Sequence, residues 1–356
     1  MSQTKSATSK IYLPWIDLMK AIGIFAIVFG HTITKGSVSH YFSSFHVPLF
    51  FFLSGFVFTT KGKKYPSFLL KKAKTLLIPY VVFSLVGIAV YAVLGEFVKD
   101  ALSESRTVGG LKDQLWEFCL GYCDTNAPVW FLPCIFVSCN LAYPISKGLD
   151  RIESPRTKAL LLTLIGCLSI LWNVLNAYIF DLYQLPYKFE TVLTLLFFFF
   201  FGYALREFGI MERLSSLRNA AKLPLTAALL ILGGVLAMFN DKVTCLGAYS
   251  GNMFLFYPSA ICTIVGLALL CSWIKRCPLL EYIGQHTIAI MVMHKFPVIL
   301  FQVVIPVTST LIARNSFLVG TGVTLICIAL CLVAELLIDR ICPILLGKSR
   351  KKAVKS

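Results

Sequence analysis

Apolar residues run along this chain in long, nearly unbroken stretches, separated by short polar segments rich in lysine. A helix needs about 20 mostly apolar residues to cross the hydrocarbon core of a bilayer. With that length as a ruler, the pattern predicts ten spanning helices at 13–34, 44–60, 74–95, 127–147, 158–174, 189–208, 222–239, 252–273, 282–305 and 316–340. The third and tenth are the clearest, while the second, fourth and fifth are short or interrupted by proline. The first has a polar start and no small-residue cleavage site, so it reads as a retained helix and not a signal peptide. The phenylalanine run 197–201 reads as lipid-facing bulk. The expected fold class is therefore all-α, a polytopic membrane protein with a transmembrane domain at 13–340 between tails at 1–12 and 341–356.

Composition agrees with this reading. Hydrophobic residues make up 57% of the chain and charged ones 14%, and the mean hydropathy is +0.79, far from soluble globular norms. The net charge of +16 acquires a meaning once the basic residues are assigned to loops. Placing both termini in the cytoplasm puts 24 of the 33 Lys and Arg residues on the inner side, and the bias alternates at every loop. Basic inner loops lie against anionic membrane lipids, so the charge needs no nucleic acid to explain it. The expected location is the cell's inner or plasma membrane, crossed many times. Most of the twelve cysteines lie in apolar helices, where a thiol packs as a small hydrophobe; Cys119 and Cys123 share an outer loop and could pair, but packing or a free thiol is the preferred reading. No Walker loop, dinucleotide fingerprint or internal repeat is present, and the longest segment outside the membrane, 96–126, is too short to build a core. Any chemistry falls to the helices and their mouths.

Ionisable residues inside spans are the candidates for it. The first helix, WIDLMKAIGIFAIVFGH, carries Asp17, Lys20 and His31. Eleven residues separate Lys20 from His31, which places both on one helix face about 16 Å apart. Asp17 sits one turn before Lys20 and can neutralise it. In the second helix His46 is followed by Pro48, and a short loop would bring it to the depth of His31. Two histidines at the outer mouth above a lysine at the inner one form a polar path across the bilayer. The plainer alternative is a cytoplasmic anchor and two interfacial histidines. His294 and Lys295 lie mid-helix in the ninth segment, where they serve that path or a buried structural hydrogen bond. Glu335 and Asp339 near the inner face read as salt-bridge partners of a basic loop, and Arg206 and Glu207 close the sixth helix in a similar way.

Together these residues resemble the acyltransferase 3 family of integral membrane acyltransferases. The likeness rests on Lys20, ten residues, His31, followed by FHVPLFFFLSG at 45–55, and within the family it is nearest to the fucose 4-O-acetylase-like branch. KKAKTLLIPY at 71–80 is similar to the family's basic loop before its third helix, APVWFLPCIF at 127–136 to the start of its fourth, and YIGQHTIAIMVMHKF at 282–296 to a late segment ending in histidine. The resemblance implies that His31 is catalytic, as general base or as transient acyl carrier. Lys20 stands where the family usually has arginine, and Lys71 and Lys74 occupy an Arg-x-x-Arg pair. These lysines, with Lys72 as a further candidate, would hold the phosphates of acetyl-CoA, the acyl donor, as point charges without the bidentate grip of arginine. His46 and Trp130, with His294 behind them, would position a glycan acceptor for O-acetylation. No metal is expected. A secondary transporter with intramembrane charges is the alternative, although the chain lacks the matching halves that many transporters show.

Overall fold

A computed structural model describes residues 12–102, 109–183, 185–245, 251–274, 276–303, 310 and 317–348. Most of the tails read at 1–12 and 341–356 lies outside these residues. Helix α1, Pro14–Thr32, starts on a proline at its first turn, where a missing N–H costs nothing, with Asp17 at the favourable end of the dipole. Gly36, at φ +95°, turns the chain into α2, Ser37–Phe56. That helix begins seven residues earlier than the expected 44. Its early serines return their hydroxyls to carbonyls one turn back, Ser43 to His40 at 2.6 Å and Ser44 to Tyr41 at 2.8 Å, so the polar turns stay helical.

The third segment is longer than expected. Helix α3, Tyr65–Lys72, passes through a π turn at Ala73–Leu77 into α4, Ile78–Leu102. Pro79 follows that turn, and the wider π spacing gives its ring room against the preceding carbonyls. After α5, Leu111–Cys119, a 3-10 turn at Asp124–Trp130 contains the non-helical residue Asn126 and leads into α6, Phe131–Leu149. Next come α7, Pro155–Leu175, α8, Phe189–Glu207, α9, Ile210–Ser215, α10, Asn219–Phe239, and α11, Met253–Trp273. The ninth segment is not one helix. It breaks at His286 and His294 into α12, Pro278–Gln285, α13, Thr287–Met293, and α14, Lys295–Val303. Helix α15, Phe317–Ile341, and a short turn at Pro343–Leu346 complete the described chain.

Among the described residues, eight helical segments are long and apolar enough to cross a membrane. Helix α2 matches them in length but is polar in its first half, and the broken α12–α14 segment is the other of the ten read from sequence. The protein is thus an all-α polytopic membrane protein.

Glycines set the closest helix contacts. A Cβ on Gly55 of α2 would land on the carbonyl of Phe199, and one on Gly202 of α8 would land on that of Phe52. The two backbones touch, as small residues permit inside a bilayer. This contact corrects the reading of the phenylalanine run. Phe198, Phe199 and Phe200 are buried, with Phe198 against Phe256 and Tyr257 and Phe199 against Phe58, because α8 is wrapped by α2, α6, α7 and α11 instead of by lipid. In the same way Gly284 lets α12 press against the Asp17 carbonyl of α1.

Several charged residues close the bundle. Arg206 donates to the carbonyls of Phe56 and Phe58, and Lys158 pairs with Glu207 at 2.6 Å. Glu335 and Asp339 find their cation in Lys348, at 2.6 and 2.5 Å, and Glu335 also meets His286 Nδ1 at 2.6 Å. Gly347, beside Lys348, lies against the backbone of Lys74 and Thr75 at the π turn. All twelve cysteines are free thiols, so Cys119 and Cys123 are not paired.

Candidate functional site

Helix α1 carries polar chemistry at both of its ends. Near its start Asp17 is buried and accepts an ion pair from Lys20 Nζ at 3.0 Å. Tyr12 donates toward Asp17 at 3.1 Å and Glu281 at 3.0 Å, and Gln285 Nε2 donates to Asp17 at 3.3 Å and to the Tyr12 hydroxyl at 3.1 Å. Desolvation, and then the two carboxylates beside it, push the Tyr12 phenol up to about 12, so it stays a donor at neutral pH. The network locks α1 to α12 and aims the Lys20 ammonium into a cavity of about 230 Å³. Lys72 lines the same cavity, together with Ser54, Gly284 and Gln285.

The other end of α1 opens into a second cavity of about 410 Å³. His31, His46 and Trp130 line it together, from three different elements. His46 Nδ1 lies 2.6 Å from the Phe42 carbonyl one turn back, which fixes the ring and leaves Nε2 as its outward nitrogen. Gln302 donates to the His31 carbonyl at 3.4 Å and ties α14 to this end of α1. His294 does not line the cavity, but its ring centroid stands 5.2 Å from that of His31. It is fully buried at the break in the ninth segment, with Nδ1 2.9 Å from the Ile290 carbonyl. Behind Trp130, Asn126 is likewise fully buried and donates to carbonyls of Phe83 at 3.3 Å and Val292 at 2.9 Å. Its non-helical backbone is what turns the 3-10 segment toward the cavity.

Phe131 of α6 and Met291 of α13 line both cavities, so the two spaces abut at this pair of side chains. Lys20 and His31 thus face two abutting chambers from one unbroken helix, about 16 Å apart along its axis.

The structure brings Asp17 and Lys20 together at one end, and His31, His46, Trp130 and His294 at the other. Lys71 and Lys74 are exposed and line neither cavity, whereas Lys72 does. Tyr12, Glu281 and Gln285 escaped the sequence reading, although Gln285 lies within the quoted YIGQH stretch, one residue after the glycine that admits α1. Lys35, Ser39 and Lys242 at the His31 end also escaped it. No group of three or more His, Cys, Asp or Glu residues with metal-binding geometry occurs among the described residues.

Residues 13–336 match a family model described as an acyltransferase domain. Neither a curated protein nor a solved structure matches the chain.

Proposed function

The chain belongs to the acyltransferase 3 family and is a membrane acyltransferase; from that premise we propose that it carries an acetyl group from acetyl-CoA to a hydroxyl of a glycan. The single observation behind this reading is the pair of abutting cavities, with Lys20 in one, His31 in the other, and Phe131 and Met291 between them. An extended pantetheine arm is comparable in length to the separation of Lys20 and His31. The donor's phosphates rest on Lys20 and Lys72 at the cytoplasmic side, and the thioester reaches past Met291 toward His31. Lys71 and Lys74, exposed nearby, add long-range attraction at the entrance.

His31 acts as general base. Its imidazole takes the proton of the sugar hydroxyl, the oxygen attacks the thioester carbonyl, the new C–O bond forms and the C–S bond breaks. The departing CoA thiolate takes the proton back from the imidazolium. His46 and Trp130 hold the sugar, by hydrogen bond and by ring stacking, and the His294 ring sets the orientation of His31 from behind. The likeness to the fucose 4-O-acetylase-like branch supports a sugar hydroxyl as the acceptor.

General-base catalysis typically contributes about 10²–10⁴-fold to rate. His31→Ala should therefore lower transfer of label from radiolabelled acetyl-CoA to membrane glycan by at least about 100-fold. Its expression and membrane insertion should match wild type, because one side chain at a helix end contributes little to folding. Robust transfer by a well-expressed His31→Ala protein would refute the assignment.

A further inference from the structure

The cavity that holds His31 has a cationic mouth. Lys35, in the turn after α1, and Lys242, in the segment after α10, both line it and both are exposed. Lys242 Nζ donates to the carbonyl of Thr34 at 2.5 Å, and Thr34 is the neighbour of Lys35 in the chain. The Lys242 side chain is thereby tied to the backbone beside Lys35. No Asp or Glu belongs to the described lining. Deeper on the α2 wall, Ser39 is 1% exposed and its hydroxyl has no hydrogen-bond partner among the described residues. A buried hydroxyl without a partner is destabilising, and a ligand that supplies one removes that cost.

The geometry points to an acidic acceptor: a sugar bearing a carboxylate or phosphate that rests on Lys35 and Lys242, with a hydroxyl reaching Ser39 and the acylated hydroxyl reaching His31. This inference rests on the proposed transfer to a glycan and names the class of glycan. Two lysines lining the mouth concentrate anions from solution, which a neutral glycan would not exploit. The donor's phosphates have their own cations at the opposite cavity, Lys20 and Lys72, so the second pair is left for the acceptor.

The test uses the full chain in nanodiscs and three oligosaccharides that differ at one sugar: glucuronate-terminated, glucose-6-phosphate-terminated and glucose-terminated. Binding is measured by calorimetry without donor, so the result does not depend on turnover. At least one acidic probe should bind about tenfold more tightly than the neutral one, equivalent to roughly 1.4 kcal/mol. The two acidic arms distinguish carboxylate from phosphate, and the preference should shrink between about 50 and 500 mM salt. In the Lys35→Gln, Lys242→Gln double variant it should fall to within about twofold, and the corresponding double arginine variant should retain it. Equal binding of all three probes, absence of binding, or a preference that survives the double glutamine variant would overturn the inference. So would a double variant whose only defect is a raised KM for acetyl-CoA, because the anion would then be the donor. The wider reading fails separately, through active His31→Ala protein, while the binding preference remains measurable.

Discussion

A lysine ammonium holds a phosphate as a compact point charge, and the donor cavity has two of them, at 20 and 72. Because Asp17 already claims part of the Lys20 charge, the two lysines share the load. Lys72→Gln should raise the KM for acetyl-CoA about tenfold, a loss of roughly 1.4 kcal/mol, with a smaller change in kcat. Lys20→Arg should keep the donor affinity of the parent. Steady-state kinetics at varied acetyl-CoA read both, and unchanged KM in Lys72→Gln would remove the phosphates from this cavity. The sequence made Lys20 and His31 legible because helical geometry alone relates them. The family resemblance pointed to Lys71 and Lys74 with Lys72 between them; through the π turn at Ala73–Leu77, Lys72 is the one of the three that lines the cavity. Gln285 meets Asp17 across 268 residues and Tyr12 meets Glu281 across 269, relations that no local pattern carries.

At the level of elements, helix existence follows from apolar length, and all ten segments appear close to where the hydropathy places them. What a helix faces follows less readily. An all-round apolar helix reads the same whether it meets lipid or protein, and α8 with its phenylalanines is the case in point. The breaks at His286 and His294 were hidden too, because apolar residues continue on both sides of them. The glycine contact between α2 and α8 can be tested against a glycine that touches nothing. Gly202→Ala should destabilise the protein by about 1–3 kcal/mol, as overpacking does, because its Cβ meets the Phe52 carbonyl. Gly322→Ala on α15, where nothing lies within 4 Å, should be neutral or stabilising by up to about 1 kcal/mol. Thermal unfolding in detergent compares the two, and equal melting points would mean that the α2–α8 contact is looser than described.

For the whole molecule, the charge bias and the two cavities combine into a statement about sidedness. The helix ends that carry Lys20 and Lys72 belong with the basic loops, and the His31 chamber opens at the opposite face. In reconstituted vesicles, acetyl-CoA supplied only on the side of the 61–74 loop should support modification of a glycan supplied only on the other side. Transfer that requires both substrates on one side would contradict a path through the protein. The pair of side chains at which the chambers abut has an electrical consequence. Where water enters a membrane from both sides, the transmembrane voltage drops across the remaining dry layer, and here that layer is Phe131 and Met291. A unit charge carried through the full drop exchanges about 2.3 kcal/mol per 100 mV with the field. A neutral thioester crosses without that term, and so does a neutral thiol, but a thiolate does not. On the proposed route, the proton that His31 borrows from the sugar and returns to sulfur makes CoA's withdrawal independent of the cell's membrane potential.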